Sequence, residues 1–92
     1  MTDEQQPAPK IEFPCENYPI KVMGDNVPNF REQVTQIMLK HAPDLDIQQI
    51  SENLSRNQRF KSIRFLITAT GVEQLQALFD ELRTLPQVKM VL

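Results

Sequence analysis

The residue types that most often perform chemistry are scarce in this chain. Its 92 residues include one cysteine, Cys15, and one histidine, His41. A single cysteine excludes an intrachain disulfide, and one cysteine with one histidine cannot complete the four-ligand set of a structural zinc site. The sequence also lacks a carboxylate pair, a glycine-rich phosphate loop and a Ser/His/Asp arrangement suited to catalysis. We therefore predict a protein that is not an enzyme and holds no metal and no cofactor.

The stretch best suited to binding a small ligand is the eleven-residue run from Tyr18 to Pro28. Ile20 and Val22 alternate with less apolar neighbours, which predicts a strand that ends near Gly24. Gly24 permits a turn conformation that other residues resist, and Pro28 suits the first turn of a helix. The start of a helix carries free N–H groups and a partial positive charge, which favour an anionic or zwitterionic ligand.

The predicted ligand is accordingly a small carboxylate or an amino acid, bound at this turn. Backbone N–H groups around Asn26, Val27 and Asn29 would hold its carboxylate, and Asp25 or Asn26 would bond an amine or amide. With Gly24, these five residues form the predicted ligand-binding set. Asp25 and Asn26 are also candidate caps of the following helix. The alternative is that the segment is only a structural strand-to-helix turn.

Hydrophobic periodicity predicts the two helices that accompany this turn. The first extends from Pro28 to His41, and the second from Gly71 to Thr84, where Thr70 and Glu73 are predicted to form a capping box. His41, in the last turn of the first helix, can interact with the helix dipole or, alternatively, serve as a ligand. The predicted apolar faces consist of Phe30, Val34, Ile37, Met38 and His41 in the first helix and Leu75, Leu78, Phe79 and Leu82 in the second.

Four strands are predicted around these helices: Tyr18–Met23, an edge strand within Asp46–Ser55, Phe60–Thr70, and a last strand in which Val88, Met90 and Leu92 alternate. Ile63, Phe65, Ile67 and Ala69 of the third strand point to one side. Interleaved right-handed crossovers then predict an α+β, ferredoxin-like βαββαβ fold. In this fold a four-stranded antiparallel sheet carries both helices on one face, with the first and third strands in the centre.

The helix-free face of this sheet is a second candidate site. In the predicted register six residues from three adjacent strands project from it: Lys21, Met23, Arg64, Leu66, Lys89 and Val91. An apolar strip edged by positive charge predicts an interface with a protein partner or with a second copy in a homodimer. The alternatives are an RNA platform and an ordinary solvated face. RNA is the less favoured partner, because the third strand lacks the glycine-and-aromatic signature and its Phe65 has the parity of the core.

Composition and charge restrict the class of protein. Hydrophobic residues make up 40% of the chain, which predicts a folded core. The net charge of -2 equals that of residues 1–12, which hold three acidic residues and one lysine, so the chain lacks the basic profile of a nucleic-acid binder. No apolar run suits a membrane helix and no signal peptide is visible, which predicts a cytoplasmic protein without membrane contact. Residues 1–12 are predicted to be a disordered leader, and residues 13–92 a single domain.

Three segments of the chain resemble the YbeD-like family of small bacterial proteins. They are the run FPCENYPIKVMG at residues 13–24, His-Ala-Pro at residues 41–43 and the ending KMVL at residues 89–92. The resemblance covers nearly all of the chain after the leader. It implies a ferredoxin-like fold similar to ACT domains, which are regulatory modules that bind amino acids. It also implies a regulatory role near lipoate metabolism, with no assigned activity.

The turn before the first helix departs from the usual ACT pattern. That pattern has an Asp-x-Pro-Gly-like turn, whereas this chain has the sequence from Gly24 to Pro28. We therefore expect a non-enzymatic regulatory or adaptor domain that acts through a protein partner or a small ligand. The alternative function is an RNA-binding module that uses the open face of the sheet.

Overall fold

The computed structural model describes residues 12–92, in which four strands and two α-helices follow the predicted order. The strands are β1 (Cys15–Asp25), β2 (Ser51–Leu54), β3 (Phe60–Ala69) and β4 (Val88–Val91). The helices are α1 (Phe30–His41) and α2 (Val72–Leu82), and a short 3₁₀ helix at Ile47–Gln49 precedes β2. The predicted disordered leader lies outside the described residues apart from Glu12.

The sheet has the strand order β2-β3-β1-β4, and all neighbouring strands are antiparallel. The long central pair, β1 and β3, extends from Cys15 opposite Ala69 to Asp25 opposite Phe60, and its register shifts once, between Cys15 and Tyr18. β2 and β4 are the two edges, which confirms the edge strand predicted within Asp46–Ser55. This arrangement, with both helices packed on one face, confirms the predicted ferredoxin-like fold.

The hydrophobic core lies between the sheet and the helices. Because alternate residues of a strand face opposite sides, β1 and β3 each contribute one regular row of side chains to it. The largest side chains with no solvent exposure are Ile20, Val22, Ile63 and Phe65 from the sheet and Phe30, Val34, Met38, Leu78 and Leu82 from the helices. Burial of each stabilises the fold by about 1.5–3 kcal/mol. Both predicted helix faces are confirmed, with Ile37 and Phe79 partly buried at their margins.

Gly24 is required for close packing rather than for the backbone freedom that the sequence predicted. Neither glycine of the chain has a left-handed backbone conformation, and Gly24 lies within β1. A Cβ atom at this position would lie 2.3 Å from the carbonyl oxygen of Gln87 and 2.7 Å from two ring carbons of Phe30. Because Gly24 has no side chain, Gln87, which precedes β4, and Phe30, the first residue of α1, can both pack closely against β1 at this position.

The start of α1 also differs from the prediction. The helix begins at Phe30, and the preceding residue, Asn29, has a left-handed backbone with φ 72°. Neither predicted cap serves this helix, because Asp25 is still part of β1 and the side-chain amide of Asn26 donates to the carbonyl oxygen of Gln58 instead. β1 ends at Asp25 rather than at the predicted Met23, so the turn that follows it, and with it the start of α1, lies two residues further along the chain.

A glutamine at the start of α2 takes the place of the predicted capping box. The N–H of Thr70 donates to Oε1 of Gln74 at 2.8 Å, whereas Glu73 makes no capping hydrogen bond. The Nε2 group of Gln74 donates to the carbonyl oxygen of His41 at 2.9 Å. A glutamine side chain both donates and accepts, so this one residue joins the start of α2 to the end of α1.

β4 does not alternate as predicted, because its pairing with β1 shifts register. Val88 lies opposite Gly24 and Val91 lies opposite Val22, with the irregularity between these two pairs. A shift of one residue turns the following side chains to the other face of the sheet. Val88 and Val91 consequently both pack against the core. The prediction that Val91 projects from the open face is wrong.

Candidate functional site

The predicted ligand-binding turn is tied to the hairpin between β2 and β3. The backbone N–H of Asn26 donates to the carbonyl oxygen of Arg59 at 3.0 Å. The side-chain amide of Asn26 donates to the backbone carbonyl oxygen of Gln58 at 2.8 Å. The N–H of Val27 donates to the carbonyl oxygen of Asp25 at 2.9 Å. Two of the N–H groups that were candidate carboxylate donors therefore already have acceptors within the protein.

The structure divides the five predicted ligand residues into two groups. Val27 and Asn29 line a groove beside α1. The other three hold the turn in place: Gly24, Asp25 and Asn26. Asp25 does so from the end of β1, where its Oδ2 lies 3.7 Å from the Nζ of Lys89. The groove, rather than the turn itself, is thus where these residues could meet a ligand.

This groove lies between the first turns of α1 and the segment that leads into β2, and we call it the α1–β2 groove. Its volume is about 490 Å³, within the range of roughly 300–1,000 Å³ that is common for small-molecule sites. Its lining combines charged, polar and apolar side chains from distant parts of the sequence: Val27, Pro28, Asn29, Arg31, Glu32, Thr35, Gln36, Ile47, Ile50 and Lys61.

Two cations of the groove share one carboxylate. The guanidinium of Arg31 donates to Oε2 of Glu52, and the Nζ of Lys61 lies 3.3 Å from Oε1 of the same residue. Burial acts to raise the pKa of Glu52, but the hydrogen bonds from Arg31 and Lys61 outweigh it and hold the pKa below its ordinary value. Glu52 is therefore ionised at neutral pH and orients both cations at the groove.

Thr35 adds a buried hydroxyl to the groove. Its Oγ1 atom is inaccessible to solvent and has no hydrogen-bond partner among residues 12–92. A buried polar atom in this state costs about 1–3 kcal/mol. Apolar surface adjoins it, since Val27 is 41% and Ile47 56% exposed. The groove therefore offers positive charge and exposed apolar surface, which together suit an amphipathic anion or zwitterion.

Sequence reasoning missed most of this groove. It placed none of Arg31, Thr35 and Lys61 in the predicted ligand-binding set. One signal was present, because Arg31 and Thr35 are four residues apart and so lie on one helix face. The position of Lys61 on the adjoining strand could not be predicted without knowing which edge of the sheet α1 covers.

The open face of the sheet presents four of the six predicted interface residues: Lys21, Met23, Arg64 and Leu66. Their sequence neighbours Ile20, Val22, Ile63 and Phe65 are fully buried on the helix side, so strand alternation directs these four outward. Lys89, the fifth, is exposed and pairs with Asp25, whose position in β1 has the same parity as Lys21 and Met23. Val91, the sixth, faces the helices instead.

Two residues of the last strand occupy the open face instead. Met90 lies opposite Met23, and Leu92 exchanges two backbone hydrogen bonds of 3.0 and 2.8 Å with Lys21. Met90 is 48% and Leu92 65% exposed. These side chains extend the apolar part of the open face to the β4 edge.

The residues singled out for other chemistry have structural surroundings. The Nε2 of His41 lies 2.8 Å from Oε1 of Glu81, and Cys15 is partly buried against the core. Phe65 is fully buried, so it cannot stack on a nucleic-acid base. Residues 12–92 contain no group of three or more His, Cys, Asp or Glu residues arranged to hold a metal ion. No helix within the same range is long and apolar enough to cross a membrane.

Comparison of the sequence with known proteins identifies close relatives. A family model described as a protein of unknown function (DUF493) matches residues 8–92. A UPF0250 protein of Azotobacter vinelandii is 55% identical over 92 residues, and the match covers 100% of both chains. A UPF0250 protein of Pseudomonas aeruginosa is 52% identical over 94 residues, again with 100% of both chains covered. These matches confirm the predicted resemblance to small bacterial proteins of unknown function.

Two solved structures share the fold at low sequence identity. The ACT domain from the GTP pyrophosphokinase of Chlorobium tepidum has a TM-score of 0.63 at 23% identity, covering 80% of this chain and 91% of that one. The protein HP0495 from H. pylori, solved in solution, has a TM-score of 0.67 at 16% identity, covering 98% of both chains. The similarity confirms the predicted ACT-like, ferredoxin-like fold.

Proposed function

Because the chain belongs to the DUF493 family of proteins of unknown function, we propose its function from the geometry of the α1–β2 groove. The protein is a non-catalytic, cytoplasmic regulatory domain that binds a small amino acid with an apolar side chain. The observation that carries this proposal is the groove of about 490 Å³, which gathers two cations and exposed apolar side chains. Occupancy of the groove is the signal that the domain passes to a partner protein.

The carboxylate of the ligand binds at the cationic wall. Arg31 has five N–H donors and Lys61 has three, so each retains donors after its contact with Glu52. A hydrogen bond to a charged group contributes about 1.5–3 kcal/mol. The side chain of Thr35 lines the same groove, together with these cations and the apolar residues.

The remaining groups of the groove select an amino acid with an apolar side chain. Glu32 is exposed in the groove lining and supplies a negative charge for the ammonium group. Val27, Ile47 and Ile50 provide the apolar contact surface for the side chain. A zwitterion with an aliphatic side chain therefore matches the charges and the apolar surface at once.

The fold supports a regulatory role in general terms. The similar structure from Chlorobium tepidum is the ACT domain of a GTP pyrophosphokinase, that is, one domain of an enzyme. A shared fold does not transfer a ligand, so the groove must be tested in this protein. The resemblance to proteins near lipoate metabolism makes a fatty carboxylate the natural competing ligand.

The test is a titration of the ¹⁵N-labelled full chain with leucine, leucinamide and octanoate, followed through amide chemical shifts. We expect leucine at millimolar concentration to shift the amides of Thr35, Ile47 and Lys61, and leucinamide to have no effect because it lacks the carboxylate. Octanoate lacks the ammonium group and should bind more weakly. Binding of octanoate equal to that of leucine would exclude the role of Glu32 and assign the groove to fatty carboxylates.

Two arginine variants provide the matched comparison. Arg31→Gln should weaken leucine binding about tenfold, which corresponds to about 1.4 kcal/mol. Arg83→Gln removes the same charge from another helix-linked ion pair, with Asp80 at 3.6 Å, and should leave binding unchanged. If leucine shifts no amide of the groove, or if both variants bind it equally, the proposal is wrong.

A further inference from the structure

We propose that the open face of the sheet binds an acidic, partly apolar peptide segment of a partner protein, with a carboxylate held between Lys21 and Arg64. This surface lies on the side of the sheet opposite the α1–β2 groove, so the inference goes beyond the proposed function. It identifies the chemistry of the partner that the regulatory domain contacts.

The first observation is an unfavourable charge pair. Lys21 and Arg64 are directly opposite each other on β1 and β3, and both are exposed. Side chains in this relationship are close neighbours, and like charges placed there are destabilising. Neither forms an ion pair with a carboxylate of residues 12–92, whereas Lys61 pairs with Glu52 and Lys89 with Asp25. An external carboxylate would turn the repulsion into two attractive contacts.

The second observation is the shape of the surface around this pair. A depression of about 440 Å³ surrounds Lys21 and Arg64. Ser51, Ser62 and Asn53 line it with groups that can donate hydrogen bonds to a carboxylate or a peptide carbonyl. Arginine and lysine beside such neutral donors form a suitable site for one carboxylate group.

The third observation is the apolar surface beside the depression. Leu92 pairs with Lys21 through the backbone and is 65% exposed, and Met90, on the same strand edge, is 48% exposed. Pro19 and Leu66 lie opposite each other at the other end of the face. A segment that alternates acidic and apolar residues would therefore satisfy both the charges and the apolar margins.

The same features favour a peptide over a nucleic acid. The depression has two cations, which suits one carboxylate rather than a row of phosphates, and the chain as a whole has a net charge of -2. Single-stranded RNA is bound on sheets of this topology by stacking on exposed aromatic side chains. Phe65, the aromatic residue in the middle of β3, is fully buried on the helix side.

The test uses two blocked peptides, one of alternating glutamate and leucine and one of alternating glutamine and leucine. Each is titrated into the ¹⁵N-labelled full chain, alongside a short oligouridylate. We expect the glutamate peptide to shift the amides of Lys21, Ser62, Arg64 and Leu92, and the glutamine peptide to bind about tenfold more weakly. Oligouridylate should leave these amides unshifted.

Variants that each remove one positive charge distinguish binding at this site from non-specific electrostatic attraction. Lys21→Gln and Arg64→Gln should each weaken binding of the glutamate peptide about tenfold. Arg56→Gln removes the same charge from the exposed β2–β3 hairpin and should leave the affinity unchanged. Leucine binding in the groove should survive in all three variants, so the failure of one proposal can be told from the failure of the other.

Three results would overturn the inference. Equal loss of affinity in all three variants would show non-specific attraction. Stronger shifts with oligouridylate than with the glutamate peptide would assign the face to nucleic acid. Changes of the same amides in the unliganded full chain after Asp3→Asn and Glu4→Gln substitution would assign the depression to the protein's own N-terminal segment.

Discussion

The Nε2 of His41 and the Oε1 of Glu81 lie 2.8 Å apart and join the last residue of α1 to α2. The Nζ of Lys40 lies 3.2 Å from the same carboxylate oxygen, and the side chain of His41 is only 17% exposed. Gln74 adds a second connection, because it donates to the carbonyl oxygen of His41. The two helices are therefore linked by polar contacts at this end, above a core that is otherwise apolar.

The first prediction concerns the acid sensitivity that Glu81 confers. The hydrogen bond from His41, followed by that from Lys40, lowers the pKa of Glu81 below its ordinary value of 4.5. A carboxyl group whose pKa is lowered by folding contributes its full stabilisation above the pKa of the unfolded state and loses it as the pH falls through the folded pKa. Glu81→Gln should therefore be less stable at neutral pH but decline less steeply below pH 4.5.

This prediction is checked by the melting temperature between neutral and acidic pH. Glu52 also has a lowered pKa, so part of the acid sensitivity should remain in the Glu81→Gln variant. The control is Asp80→Asn, because that exposed carboxylate pairs with Arg83 on the surface. Its pH profile should match the unmodified chain. A Glu81→Gln profile as steep as that of the unmodified chain would contradict the assignment.

The second prediction uses the two glycines of the chain. Gly24→Ala should lower the free energy of unfolding by about 1–3 kcal/mol, because the added methyl group collides with the backbone of Gln87 and the ring of Phe30. Gly71→Ala meets no atom within 4 Å and has an extended backbone, so it should be neutral or stabilising by about 0.4–1 kcal/mol. Urea denaturation measures both, and equal stability of the two variants would refute the packing explanation.

The third prediction compares two asparagines near the β2–β3 hairpin: the side chain of Asn26 donates a hydrogen bond, whereas that of Asn57 accepts two. Asn26→Asp replaces the Nδ2 donor to Gln58 with a carboxylate oxygen and should cost about 1–3 kcal/mol. Asn57→Asp keeps the acceptor that the hydroxyl of Ser55 and the N–H of Arg59 use, so its stability should be unchanged. Denaturation curves would contradict this account if Asn57→Asp were the more damaging change.

The fourth prediction tests whether the Lys21–Arg64 pair has a structural role. Because the two like charges repel across the strands, Arg64→Gln should raise the free energy of unfolding by about 0.2–1 kcal/mol. The gain should shrink at high salt, where charges on the surface are screened. A loss of more than about 1 kcal/mol would show that Arg64 supports the fold, since ordinary surface substitutions stay within about half that amount.

The comparison of β3 with β4 shows where sequence patterns succeed and fail. In β3 the alternation of Ile63, Phe65 and Ile67 correctly predicted the buried row, because pairing with β1 holds all three residues in one register. In β4 the same rule was wrong for Val91. The edge strand pairs on one side and shifts register between the residues opposite Met23 and Gly24. A bulge of this kind leaves no mark in the alternation of apolar residues.

The local sequence by itself determined the type and order of the elements, since the periods of apolar residues decide which faces of helices and strands can be buried. It therefore sufficed for the ferredoxin-like fold and for most of the core. Only the tertiary structure decided the α1–β2 groove, because Arg31 and Lys61 meet there from elements that are separated along the chain. The tertiary structure also places Met90 and Leu92 on the open face, where the sequence had predicted Val91. Such contacts depend on register and packing between elements, which the period of a single element does not specify.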